Sequence, residues 1–249
     1  MSGAGSFGWT SSSRSDVGNE RQVNEDACLD LSSRGLWVVA DGMGGHAAGD
    51  VASQMLVSKL SGTDSHGRLS DFVNDVEDRV LEVNRRLHDM SLEGENPKVM
   101  GSTLAALLAH DNHVVSMWVG DSRVYRLREG ELLKQVTTDH SEVEEMIAQG
   151  TLDQASALDH PAANVVTRAV GGLEHVYVDL DLDELQDKDR FLICSDGLFK
   201  DLSEEEIEEL LGAGSCVDAC DALIDTVLKR ECADNVTVIV VEFNGTASE

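Results

Sequence analysis

Val38-Val39-Ala40-Asp41-Gly42-Met43-Gly44-Gly45-His46 is the stretch whose reading decides the fold. An apolar run ends on a carboxylate and a small-residue turn follows, the pattern of a buried strand that delivers an acidic side chain to the edge of a sheet. Gly42, Gly44 and Gly45 carry no Cβ, so the backbone there can approach an ion closely and leave a main-chain carbonyl free as a ligand. Just upstream, Leu29 and Leu31 alternate with Asp30 as in a strand, and Gly35 to Ala40 reads as the hairpin partner. That pairing brings Glu25 and Asp26 near Asp41.

Downstream of the glycines, Ala47 to Leu60 reads as a helix. A longer helix begins near Leu69, where Phe72, Val76, Val80, Val83, Leu87 and Met90 step by three or four. Strands are expected over Thr103 to Ala109, His113 to Val119, Val124 to Leu127 and Leu132 to Val136, and the short turns between them imply an antiparallel sheet. Asp139 to Gly172 breaks this pattern: Ser141 with Glu144 caps a short helix, and the segment reads as a flap-like insert over one sheet edge. Strands return at Val176 to Leu182 and Arg190 to Cys194. Ser203 with Glu206 caps a helix, Cys216 to Lys229 forms another, and Val236 to Phe243 is a β-branched run that must be a buried strand. With no repeat and no linker, residues 16–243 are expected to form one domain, with a flexible N-terminus over 1–15 and a short tail over 244–249.

Composition narrows the function classes. The 249 residues are 41% hydrophobic with only 2 prolines, which suits a sizeable globular core. The 47 Asp and Glu against 19 Lys and Arg leave a net charge of -28, a surface that repels phosphate backbones and anionic lipid and attracts divalent cations. Nucleic acid and membrane are therefore not expected as partners. Neither a signal peptide nor an apolar span is visible, so a cytoplasmic protein is expected. Five cysteines without a C-x-x-C pair argue against a disulfide framework or a structural zinc site and imply reduced thiols.

Asp26, Asp41, Asp121, Asp196 and Asp234 each stand beside a strand terminus, and Asp41 and Asp196 are both followed by glycine. Any one of them alone is more often a turn or cap residue. Carboxylates drawn from several strand ends suit hard divalent cations, and a pair of such ions activates water for in-line attack on a phosphoryl group. Composition and spacing by themselves leave a metal-assisted hydrolase and a calcium-binding structural domain both open. Ser195 lacks a G-x-S-x-G elbow, and the glycines after Asp41 lack the G-x-G-x-x-G spacing, so neither a serine nucleophile nor a dinucleotide loop is read here.

Arg21-x-x-Asn24-Glu25-Asp26, Val39 to His46, Gly101-Ser102-Thr103, Gly120-Asp121-Ser122-Arg123, Cys194 to Leu198 and Asp234-Asn235-Val236-Thr237 resemble, in this order, the motifs of the metal-dependent (PPM, type 2C) serine/threonine protein phosphatases in their compact bacterial form. The resemblance runs from about Asp16 to Phe243. It implies an α-β-β-α sandwich with two central antiparallel sheets, and a cleft at one sheet edge that holds two Mn²⁺ or Mg²⁺ ions and a weaker third. By motif match, Asp41 bridges the two core ions, Gly42 offers its carbonyl, and Asp196 and Asp234 complete one shell. Glu25 and Asp26 act mainly through water, Asp121 helps to hold the third ion, and Arg21 grips the substrate phosphate. His46 is the nearest general acid, although Met43 stands where animal relatives place their histidine directly after Asp-Gly. The implied activity is removal of phosphate from phosphoserine and phosphothreonine by a monomer that opposes a Ser/Thr kinase. A catalytically silent phosphoprotein-binding module is the alternative, and a two-metal nuclease is disfavoured by the charge.

Overall fold

Leu36, Val38 and Ala40 on one side of a strand, and Trp37 and Val39 on the other, are all buried, so this strand requires cover on both faces. The computed structural model, which describes residues 7–44, 48–64, 67–93, 99–153, 156–157 and 160–245, provides that cover with four layers. In chain order the elements are β1 (Phe7–Asp16), β2 (Asp26–Leu31), β3 (Leu36–Gly44), α1 (Ala48–Leu60), α2 (Leu69–Leu92), β4 (Met100–Ser102), β5 (Leu104–His110), β6 (His113–Val119), β7 (Arg123–Leu127) and β8 (Lys134–Gln135). There follow α3 (Glu142–Ala148), β9 (Asp179–Glu184), β10 (Arg190–Cys194), α4 (Asp196–Phe199), α5 (Glu204–Leu211), α6 (Cys216–Leu228) and β11 (Val236–Gly245).

One antiparallel sheet runs β1-β11-β10-β7-β8, the other β2-β3-β5-β6-β9, with β4 added on β3. Leu56 of α1 and Phe72, Val76 and Val80 of α2 pack on Leu36, Val38 and Met117 of the second sheet. On the far side Ile207 of α5 and Leu223 and Ile224 of α6 pack on Leu192, Val238 and Val240 of the first. Between the sheets lie Trp37, Val39, Leu107, Phe191, Ile239, Val241 and Phe243. Trp9, Trp37, Phe191 and Phe243 meet edge to face there, with centroids 5.7 to 6.0 Å apart. Burial of each such large apolar side chain stabilises the fold by about 1.5–3 kcal/mol. The expected α-β-β-α sandwich is therefore the architecture observed.

Four details differ from the sequence reading. Residues 7–15 are not a flexible N-terminus: they belong to β1, which pairs with β11 from Phe7↔Gly245 to Asp16↔Val236. Its serine-rich composition hides the strand, while Trp9 anchors it in the aromatic cluster. The β1-β11 pairing accordingly carries the first sheet out to Phe7 and Gly245. Secondly, the segment after Asp41 does not turn. β3 continues to Gly44 and changes partner, pairing Gly42, Met43 and Gly44 with Ser102, Gly101 and Met100 of β4. Thirdly, β6 and β7 belong to different sheets, so Gly120-Asp121-Ser122 is a crossing between layers. Lastly, β8 shortens to two residues and β9 begins at Asp179 rather than Val176. Among the described residues no helix is long and apolar enough to cross a membrane.

Candidate active site

The site forms where both sheets end on the same side. Asp26 and Asp41 are directly opposed in the β2-β3 ladder, so period-2 pairing sets their side chains next to each other. Thr103 interrupts the passage from β4 to β5 and locks Asp41 from both directions: the Asp41 N–H donates to Thr103 Oγ1 at 3.0 Å, and the Thr103 N–H donates to the Asp41 carbonyl at 2.8 Å. Ser122 Oγ lies 2.7 Å from the same Thr103 hydroxyl, tying in the crossing that carries Asp121. From the other sheet, β10 ends on Ser195, whose hydroxyl donates to Asp26 Oδ2 at 2.7 Å and accepts from the Thr237 N–H at 2.9 Å. The serine thus joins the two sheets through the carboxylate, and Asp196 follows it at the start of α4.

Both Asp-Gly pairs need their glycine for close approach. A Cβ on Gly42 would stand 2.1 Å from the Gly49 carbonyl oxygen and 2.6 Å from that of Glu25, and one on Gly197 would stand 2.1 Å from the Asn235 carbonyl oxygen. The Gly42 N–H donates to the Glu25 carbonyl at 3.1 Å, and Ser53 Oγ donates to the same oxygen at 2.6 Å, which fixes Glu25 over the start of α1. Asn235 pins the remaining loop. Its Oδ1 accepts from the Glu25 N–H at 2.8 Å, and its Nδ2 donates to the carbonyls of Val17 and Val23 at 2.9 and 3.1 Å. Arg21, carried on that loop, reaches Asp234 with Nη2 3.0 Å from Oδ1.

Burial and mutual repulsion act together on these acids. Desolvation, with Asp196 and Asp234 nearby, pushes Asp26 up to about 7 against the pull of Thr237 and Ser195 hydrogen bonds. Desolvation and the charges of Asp196 and Asp139 likewise push Asp121 up to about 7. Asp41 is raised well above the carboxylate range by burial and by Asp26, Asp196, Asp121 and Asp234, and Asp196 is raised by burial despite the neighbouring Lys200. The five aspartates therefore share one electrostatic field, and Glu25 adjoins it through its backbone.

Whether this set suits a divalent cation can be judged from its own atoms. Asp26 Oδ1 and Asp196 Oδ1 are buried and have no hydrogen-bond partner among the described residues, and a hard cation would satisfy both oxygens and the crowded negative charge. No group of three or more Asp, Glu, His or Cys side chains placed to hold a metal ion is found among the described residues, so an ion here would draw part of its shell from water and main-chain oxygen. The donor set fits.

His46 lies outside the described residues. Arg168 pairs with Asp179 at 2.9 Å, and Asp179 in turn meets His140, whose Nδ1 accepts from the Gly120 N–H beside Asp121; no catalytic part is given to Arg168. Several neighbours gain parts that sequence reasoning did not give them. Arg123 forks onto Asp139, donates to the Tyr125 hydroxyl at 2.8 Å and lies 3.7 Å over the Phe199 ring, bracing the Asp121 crossing against α4. Lys200, one turn after Asp196, forms an ion pair with that carboxylate. Beside the acids a cleft of about 450 Å³ is lined by Arg21, Asn164, Gly197, Lys200 and Asp234. An arrangement of this kind, oxygen ligands for cations next to cationic side chains in an open cleft, suits transfer of a phosphoryl group to water.

Comparison with known proteins points the same way. Residues 15–235 match the family model described as Protein phosphatase 2C. The chain is 36% identical over 229 residues to the serine/threonine protein phosphatase PstP of Mycobacterium tuberculosis, covering 92% of this chain and 44% of that protein, so it spans under half the length of that relative. It is 35% identical over 244 residues to the serine/threonine phosphatase stp of Listeria innocua, covering 93% of this chain and 94% of that one. Among solved structures, the catalytic domain of PstP in complex with two manganese ions superposes with a TM-score of 0.85 at 33% identity, covering 96% of this chain and 99% of that one. With a family model across most of its length, full-length likeness to a bacterial phosphatase and acids gathered at one sheet edge, the chain belongs to the protein phosphatase 2C family.

Proposed function

We propose that this chain hydrolyses phosphoserine and phosphothreonine in proteins with two divalent ions, Mn²⁺ or Mg²⁺, held by its aspartate cluster. The observation that carries this reading is the pair of orphaned, buried oxygens, Asp26 Oδ1 and Asp196 Oδ1, within a group of carboxylates that raise one another's pKa. Asp41, the Gly42 carbonyl, Asp196 and Asp234 would hold the core pair, Glu25 and Asp26 would act through intervening water, and Asp121 would serve a weaker third ion. When bound, such ions lower the pKa of water and neutralise charge on the phosphoryl group.

This chain's own groups do the rest. Arg21, half exposed beside Asp234, is assigned the phosphate, which its planar fork would meet. Ser195 holds Asp26 in one orientation by donating to its Oδ2. Segment 139–172 is tied down at both ends, by Thr167 N–H to the His140 carbonyl at 2.8 Å and by Ser102 with Val170, while its Asn164 reaches the cleft. That placement suits a flap against the phosphoprotein. His46 is assigned the proton delivery to the leaving alkoxide. We further assign the chain a place in the cytosol, a monomeric state and a role opposite a Ser/Thr kinase.

Phosphate release from a phosphothreonine peptide, measured with EDTA, with Mg²⁺ and with Mn²⁺, tests this. Release only with metal, and none from Asp41→Asn, is expected. A folded protein that releases none under any metal is instead a phosphoprotein-binding module.

A further inference from the structure

Lys200 stands at the end of α4, four residues after Asp196, and its ammonium group contacts that carboxylate and lies 3.9 Å from Asp234 Oδ2. Asp234 therefore carries one cation on each oxygen, with Arg21 on Oδ1 and Lys200 on Oδ2. Arg21 and Lys200 are also the cations among the described residues lining the cleft, whose other charged groups, Glu20, Asp201, Glu231 and Asp234, would repel a phosphate. The lysine is a third exposed on a flexible stem, so it can exchange partners without disturbing the core.

Resting on the phosphatase reading, we propose that Lys200 is a second phosphate-holding residue. It neutralises Asp196 and Asp234 until divalent ions take those carboxylates over, and is then free to join Arg21 on the substrate phosphate. A single ammonium charge shared by two carboxylates is the weaker partner for them than a divalent ion, so the ion displaces it. Once displaced, the ammonium lies in a cleft where a phosphate dianion is the complementary charge. The same residue thereby opposes metal entry and favours phosphate entry. Those opposite signs separate this part from that of a merely structural lysine.

Calorimetric titration of the purified full chain with Mn²⁺, and then of the Mn²⁺-saturated protein with inorganic phosphate, reads both effects without turnover. For Lys200→Gln, Mn²⁺ binds about tenfold tighter because a competing cation is gone, and phosphate about tenfold weaker because a charge-assisted contact is gone. Lys200→Arg retains phosphate affinity within about threefold of the wild type. Lys59→Gln, which removes a charge on α1 that pairs with Glu82 away from the cleft, changes neither constant and so accounts for the general effect of net charge. Unchanged Mn²⁺ affinity in Lys200→Gln overturns the proposal, and so does tighter Mn²⁺ with unchanged phosphate affinity. A wild type that binds neither Mn²⁺ nor phosphate overturns the phosphatase reading itself.

Discussion

Without divalent ions the protein should become less stable as the pH rises, against the trend of most carboxylate-rich proteins. Asp26 and Asp121 titrate at about 7 in the fold against 3.8 in an unfolded chain, because each is buried among other carboxylates. Between those values the folded form holds protons that the unfolded chain has released, so stability is fully present below the lower value and is lost as pH rises through the upper one. A shift of about three units corresponds to roughly 4 kcal/mol for one group, with a slope of about 1.4 kcal/mol per pH unit for each proton retained. The two groups share neighbours, so their effects do not add in full, and a loss of about 2–3 kcal/mol between about pH 5.5 and pH 7.5 is expected. Mn²⁺ should reverse this, restoring about 2.7 kcal/mol at one hundred times its Kd, and at a fixed Mn²⁺ concentration it should restore more as the pH rises, because protons then compete less for the ligands and Kd falls. Urea unfolding followed by circular dichroism, at three pH values with EDTA and with Mn²⁺, reads the whole effect. Asp26→Asn, which keeps an acceptor for Ser195 but cannot ionise, should flatten the EDTA curve. An EDTA curve that is level or rising with pH, or an Asp26→Asn slope equal to the wild type, would refute the reasoning.

Other substitutions separate the parts of the site. Asp41→Asn and Asp234→Asn should reduce phosphopeptide turnover by at least about 10²-fold by removing an oxygen ligand, and near-native turnover in either would contradict the two-ion reading. Asp121→Asn should weaken turnover while calorimetry still counts two bound Mn²⁺ ions. Asn235→Ala removes three hydrogen bonds, to Glu25, Val17 and Val23, and should lower stability by about 2–3 kcal/mol and weaken phosphate binding, since the loop bearing Arg21 loses its pin. His46→Ala should slow phosphopeptide hydrolysis more than hydrolysis of an activated aryl phosphate, whose leaving group needs little protonation; equal losses would remove His46 from that part.

The strands with two buried faces were the most legible. His113 to Val119 and Arg190 to Cys194 match β6 and β10 in both bounds, because continuous apolar runs bracketed by turn residues admit few alternatives. The opposition of Asp26 and Asp41 followed from alternation on one hairpin. Strand β1 did not show, since Ser11 to Ser13 carry no apolar face and owe their extended form to β11. Nor did the continuation of β3, because glycines that mark a turn locally are needed here for the approach of Gly49 and β4. Two strands joined by a short connection can lie in one sheet or in two, and nothing local in Gly120-Asp121-Ser122 says which. The part of Lys200 was hidden for a simpler reason: a lysine after Asp-Gly-Leu-Phe looks like any exposed charge until Asp234, distant in sequence, is brought beside it.

β1 also has a consequence for how the protein is made. Its first partner is a strand far along the chain, and the contact of Ser15 with Thr237 closes a separation of 222 residues. During synthesis β1 has no partner until β11 has left the ribosome, and the loop bearing Arg21 has no Asn235 to hold it. Pairings so distant form late and slowly. On the reading proposed above, a nascent chain therefore lacks the complete site until β11 and Asn235 have been delivered to β1 and the loop bearing Arg21.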